Sequence, residues 1–155
     1  MVVEFTKIKL YHKEILVEEL LNKLPDYGGI SRIITLIKFK TSLGEWSKSY
    51  EALIDTGAHI SVIPSNIWIS TRYEWLATHK MYGIVPREEC ELPVDIGKLI
   101  CVLIDREGNF SNAIEIRAYL APSDEIPLVI GFKDLLEKFK LNISVPEDEY
   151  YLEEF

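Results

Sequence analysis

The segment Ala52-Leu-Ile-Asp-Thr-Gly-Ala-His-Ile-Ser-Val-Ile-Pro64 carries an apolar run to an aspartate at position 55. A strand ending there delivers one carboxylate, Gly57 permits a turn that a Cβ would obstruct, and the Thr56 hydroxyl can brace the loop. A carboxylate so presented can exchange protons in general acid–base chemistry, or serve as an ordinary turn or cap residue. The other reactive side chains do not assemble into a second motif. His12, His59 and His79 are widely separated, with neither an HExxH helix nor a Cys-His spacing, so no metal is expected. Cys90 and Cys101 lack CxxC spacing and are expected to be free thiols. Asn142-Ile-Ser144 matches the glycosylation sequon but is expected to be accidental, and Trp46, Trp68 and Trp75 lie beside apolar residues that favour core packing.

The elements that must position Asp55 read as mostly β. Alternation over Val2 to Leu10 predicts a strand, and Leu16, Leu20, Leu21 and Leu24 at helical spacing predict a helix over Lys13 to Leu24. Arg32 to Lys40, a turn at Ser42-Leu-Gly-Glu, and Trp46 to Ile54 predict a β-hairpin whose second strand ends at Asp55. Ser65 to Ala77 suits a short helix capped by Ser65. Met81 to Ile104 reads as a long extended hairpin, Asp105-Arg-Glu-Gly-Asn as a turn into Phe110 to Leu120, and Ile126 to Ile130 as a short buried strand. Lys133 to Lys140 is amphipathic, and Leu141 to Val145 is extended. The expected organisation is one domain over 1–155, with an N-terminal extension at 1–28, a core at 29–146 and an acidic tail at 147–155, the last being either solvated or an edge strand at a subunit interface.

With its flanks, Ala52 to Pro64 resembles the active-site loop of retroviral-type aspartic proteases, the retropepsins. A second element of that family, two apolar residues followed by glycine and a helix, has its counterpart in Leu128-Val-Ile-Gly-Phe-Lys-Asp-Leu-Leu136. The resemblance runs from about Ile33 to Val145 and implies a closed, mostly-β barrel of the single-lobe acid protease type with two or three short helices. It also implies a homodimeric aspartic endopeptidase acting on peptides or unfolded proteins without a cofactor. In that chemistry two carboxylates about 3 Å apart share one proton, the ionised one drawing a proton from water while the neutral one polarises the scissile carbonyl. The turns at Asp26 and Asp105 lack the Asp-Thr-Gly pattern, so the second carboxylate is expected from the same residue of a second copy. The resemblance assigns catalysis to Asp55, Thr56 and Gly57, with Thr56 aligning the two loops. Substrate contacts fall to Ala58, His59, Tyr82, Gly83, Ile84, Val85, Ile130 and Gly131. The flap expected over a bound peptide corresponds to Lys80 to Leu92, whose tip departs from the family's glycine-rich pattern by holding only Gly83 and by carrying Pro86, which lacks a backbone donor.

Composition narrows the alternatives. The chain has 155 residues, 17 basic against 25 acidic side chains, and a net charge of −8, which opposes phosphate-backbone binding as its main task. No apolar run approaches the roughly 20 residues of a bilayer span, and the N-terminus does not read as a secretory signal. The expected setting is therefore cytoplasmic, with neither nucleic acid nor membrane as partner. A non-catalytic dimerisation or peptide-binding module on the same fold is the alternative reading.

Overall fold

The computed structural model describes residues 6–27, 29–82 and 91–154, and of residues 27, 79–82 and 91–94 the backbone alone. Eleven strands form among these residues: β1 (Lys7–Lys9), β2 (Tyr11–Ile15), β3 (Ile30–Phe39), β4 (Tyr50–Ile54), β5 (Ser61–Ile63), β6 (Glu74–Tyr82), β7 (Glu91–Ile104), β8 (Ile114–Leu120), β9 (Val129–Ile130), β10 (Phe139–Ser144) and β11 (Glu149–Glu154). Two short helices accompany them, α1 (Glu18–Lys23) and α2 (Ser65–Trp68). None is long and apolar enough to cross a membrane.

Eight strands pair in the order β2-β3-β4-β9-β5-β8-β7-β6. The long β3 also pairs with β7. Leu36 faces both Glu51 of β4 and Ile104 of β7, and Ile34 faces both Tyr11 of β2 and Leu53 of β4. Strands β2 and β7 therefore lie one after the other along the edge of β3 opposite β4. Period-two alternation packs the interior: Ile114, Ile116, Ala118 and Leu120 of β8 are buried while Glu115 and Arg117 face outward. They join Ile37, Phe39, Ile63, Leu99, Cys101, Leu103 and Ile130 in one apolar core. Burial pushes the free Cys101 thiol up to about 12. Cys90 lies outside the described residues.

The first and last described strands pair with each other. A second sheet has the order β1-β11-β10, with Ile8 and Leu152 buried. The segment expected as an acidic tail thus supplies the central strand of a sheet rather than a solvated end or an edge. Its alternation, with Tyr150 and Leu152 inward, provides an apolar face that packs into the core. The helix expected over Lys13 to Leu24 is replaced by β2 and the six-residue α1, because Tyr11 to Ile15 pairs in register with Ile34 to Ile30. Helix α2 stops at Trp68, and of the rest of the expected helix Glu74 to Ala77 belongs to β6, paired with β7. In its register Trp75 faces Gly97 and Ala77 faces Ile96, so Leu76 sits in a bulge. Trp75 is 57% exposed and Trp46 39% exposed, so of the three tryptophans only Trp68 packs against the core.

Candidate functional site

Asp55 comes directly after β4, and its position is set by backbone pairing. Strand β9 runs parallel to β4, with Leu53 opposite Val129 and Ile54 opposite Ile130. The Leu53 N–H donates to the Leu128 carbonyl at 2.9 Å, and the Asp55 N–H to the Ile130 carbonyl at 3.0 Å. The chain then turns back so that β5 pairs antiparallel with the other edge of β9, Val62 opposite Val129. The loop carrying Asp55 therefore spans a two-residue strand that fills the fork between its two legs.

The segment after β9 holds this loop from behind. The Phe132 N–H donates to the Ala58 carbonyl at 2.9 Å, and the Lys133 N–H to the His59 carbonyl at 2.8 Å. The Gly131 N–H donates to the buried Ser61 hydroxyl at 2.9 Å. A Cβ on Gly131 would lie 2.5 Å from the Ile60 carbonyl carbon and 2.9 Å from the Ser61 nitrogen, so the approach requires glycine. Gly57 is less constrained. A Cβ there would meet only Asp55 Oδ1, at 3.3 Å, so it would crowd the carboxylate and not the turn. The tight approach expected at Gly57 is found at Gly131.

The carboxylate itself is exposed and lightly engaged. The Gly57 N–H donates to Asp55 Oδ1 at 2.9 Å, which fixes the rotation of the carboxylate, while Oδ2 has no hydrogen-bond partner among the described residues. Thr56 is exposed as well, and its hydroxyl makes no hydrogen bond among the described residues. A groove of about 570 Å³ opens beside Asp55, with Arg32 and Ile33 of β3, Leu53 and Ile54 of β4, and Val129 on its walls. One carboxylate beside a trough of mixed polar and apolar lining can bind and orient a peptide and can exchange a proton with water. Alone it cannot be ionised and protonated at once.

The expected site residues divide into groups. Asp55, Thr56, Gly57, Ala58 and His59 lie together on the loop, with His59 exposed and Ala58 half-buried. Ile130 is fully buried and Gly131 is buried, so both lie inside the fold behind the loop. Tyr82 ends β6, with its side chain outside the described residues, and Gly83, Ile84, Val85 and Pro86 of the expected flap lie outside them entirely. Sequence reasoning missed Ser61 and Arg32. Ser61 was legible only as a small polar residue opening an apolar strand, and Arg32 only as a cation two residues before the position paired with Leu53.

A further anchor was also missed. Asp134, in the left-handed region at φ 65°, receives the Arg117 Nε–H at 2.8 Å, the Arg117 Nη2–H at 3.0 Å and the Arg117 backbone N–H at 3.0 Å. The guanidinium holds its carboxyl down to about 2 and ties the turn behind the loop to β8.

No protein-family model matches the chain, and no curated protein gives a significant match to it.

Proposed function

We propose that the chain is one subunit of a homodimeric aspartic endopeptidase, in which Asp55 and its symmetry mate share one proton and activate a water molecule. The ionised carboxylate takes a proton from water as the oxygen attacks the scissile carbonyl, and the neutral one donates its proton to the carbonyl oxygen. The observation that carries this reading is the Asp55 carboxylate: it is exposed at a strand end, fixed in rotation by the Gly57 N–H, and beside a groove of about 570 Å³. Pairing of β3 with both β4 and β7 supports the closed single-lobe barrel that such an enzyme uses. The Thr56 hydroxyl, next to Asp55 and without a hydrogen bond among the described residues, suits a contact with the second subunit's loop. The pair titrates as a unit, so cleavage is expected to be strongest in mild acid and to fade as rising pH removes the shared proton.

The test compares the wild type with Asp55→Asn on unfolded protein substrates across pH, with sedimentation run in parallel. Cleavage by the wild type, its absence in the variant, inhibition by statine-type mimics and twice the chain mass in solution are expected. Cleavage that survives the substitution overturns the reading. A wild type that binds peptides but cleaves none favours a peptide-binding module on the same fold.

A further inference from the structure

Building on the reading of Asp55 as a peptidase carboxylate, we infer that Arg32 is a specificity-determining residue that selects peptides carrying a carboxylate beside an apolar residue. The groove at Asp55 is walled by Ile33, Leu53 and Val129, and Arg32 is the one cation on its lining among the described residues. Its guanidinium is exposed, and Nη1 donates only to the carbonyl of the preceding Ser31, at 3.2 Å. No carboxylate lies within ion-pair distance of it among the described residues. Arg117, by contrast, is committed to Asp134, and Arg106 lies over the Tyr11 ring, 4.2 Å from its centroid, with Glu51 3.9 Å away.

The strand pairing sharpens the point. Directly across the ladder from Arg32 is Lys13, and like charges in such a position repel. Lys13 is relieved by Glu51 at 3.1 Å, and Arg32 has no equivalent among the described residues. In a chain with 25 acidic side chains and a net charge of −8, two cations stand opposite each other on β2 and β3, and the one that lines the groove lacks an anion among the described residues. A substrate carboxylate would supply it through a charge-assisted, two-pronged hydrogen bond, while the adjacent apolar residue occupied the trough. It would also offset the repulsion that an ionised Asp55 exerts on an acidic peptide. The same carboxylate chemistry can come from a Glu or Asp side chain or from a peptide C-terminus, and an endopeptidase requires the side chain.

The experiment uses matched ten-residue peptides with an apolar centre, carrying Glu or Gln at one position moved along the sequence, each with a free or an amidated C-terminus. Cleavage is measured with the wild type, Arg32→Lys and Arg32→Met, and binding is measured with the same peptides on Asp55→Asn protein with and without Arg32→Met. The wild type is expected to favour Glu over Gln at one position by about tenfold, chiefly through KM, whether or not the terminus is amidated. Arg32→Lys should retain part of that ratio, Arg32→Met should bring it to about one, and added salt should lower it only where Arg32 is present. Equal cleavage of Glu and Gln peptides, or a Glu preference that survives Arg32→Met, overturns the role of Arg32 and leaves the peptidase reading standing. A preference lost on amidation overturns side-chain selection in favour of terminus capture. If nothing is cleaved, the peptidase reading falls, and the binding ratio still decides on Arg32; protein that binds neither peptide overturns both.

Discussion

Asp55 and Asp105 occupy equivalent local positions and have opposite characters. Each comes directly after the last residue of a strand, β4 or β7, and each accepts a hydrogen bond at Oδ1 from the backbone N–H two residues on, at 2.9 Å in both cases. Asp105 goes on to accept from the Asn109 N–H, the Asn109 side-chain amide and the Lys9 N–H, and is 6% exposed. Burial works to push its carboxyl up, but the donors on Lys9, Asn109 and Glu107 outweigh it and hold the carboxyl below its ordinary value. Asp55, itself exposed, has a single donor to its carboxylate among the described residues. A strand-end aspartate is thus structural when the chain saturates it with N–H groups and available for chemistry when the chain leaves one oxygen unengaged. The difference arises in the path of the chain beyond each residue: a turn that folds back onto Asp105, against a loop drawn away from Asp55 by bonds from Gly131, Phe132 and Lys133.

That contrast predicts a double dissociation. Asp55→Asn keeps the acceptor for the Gly57 N–H, so it should cost about 10³-fold or more in cleavage and under about 0.5 kcal/mol in stability by urea melts. Asp105→Ala orphans N–H donors from three residues and should cost about 3 kcal/mol in the same melts, without acting on the chemistry of Asp55. A stability loss at Asp55 as large as that at Asp105 would break the comparison.

Gly131→Ala tests the support of the loop. The added carbon meets backbone and not a movable side chain, so a loss of about 2 kcal/mol is expected, together with reduced peptide binding as the loop shifts. Alanine tolerated here without change would remove the glycine requirement. The smallest effect concerns acid. Asp134 has an ordinary value of 3.8 and a folded value of about 2, so its contribution to stability is fully present above 3.8 and is lost as pH falls through about 2. Asp134→Asn should therefore flatten the acid limb of a thermal melt series between pH 4 and 2, with the wild type and variant converging at the low end.

The parts of the molecule legible in the sequence are those fixed by local pattern. Alternation marked β8, the apolar run marked β4 up to Asp55, and the glycine after Val129-Ile130 marked the support beneath the loop. The parts that were not legible depend on partners distant in the chain. Leu16 and Leu24 stand at helical spacing yet are largely exposed, while Tyr11 to Ile15 takes its conformation from β3. Trp75 and Leu76, adjacent and apolar, mimic a helix face, but the bulge opposite Gly97 accommodates them in a strand, and the Trp75 Nε1–H reaches Asp95 at 3.1 Å. The last strand reads as a charged end because only its pairing with β1 and β10 reveals which face is buried. Arg32 gave no signal as a site residue, since the groove it lines is assembled from three strands.

The central claim, that one active centre takes an Asp55 from each of two chains, is tested most directly by mixing. Wild-type and Asp55→Asn proteins are combined in varied proportion at fixed total concentration, allowed to exchange subunits, and assayed for peptide cleavage. A shared dyad predicts activity that falls as the square of the wild-type fraction, because every mixed dimer lacks one carboxylate. Activity that falls in simple proportion to the wild-type fraction would mean that each chain works alone, and would contradict the account.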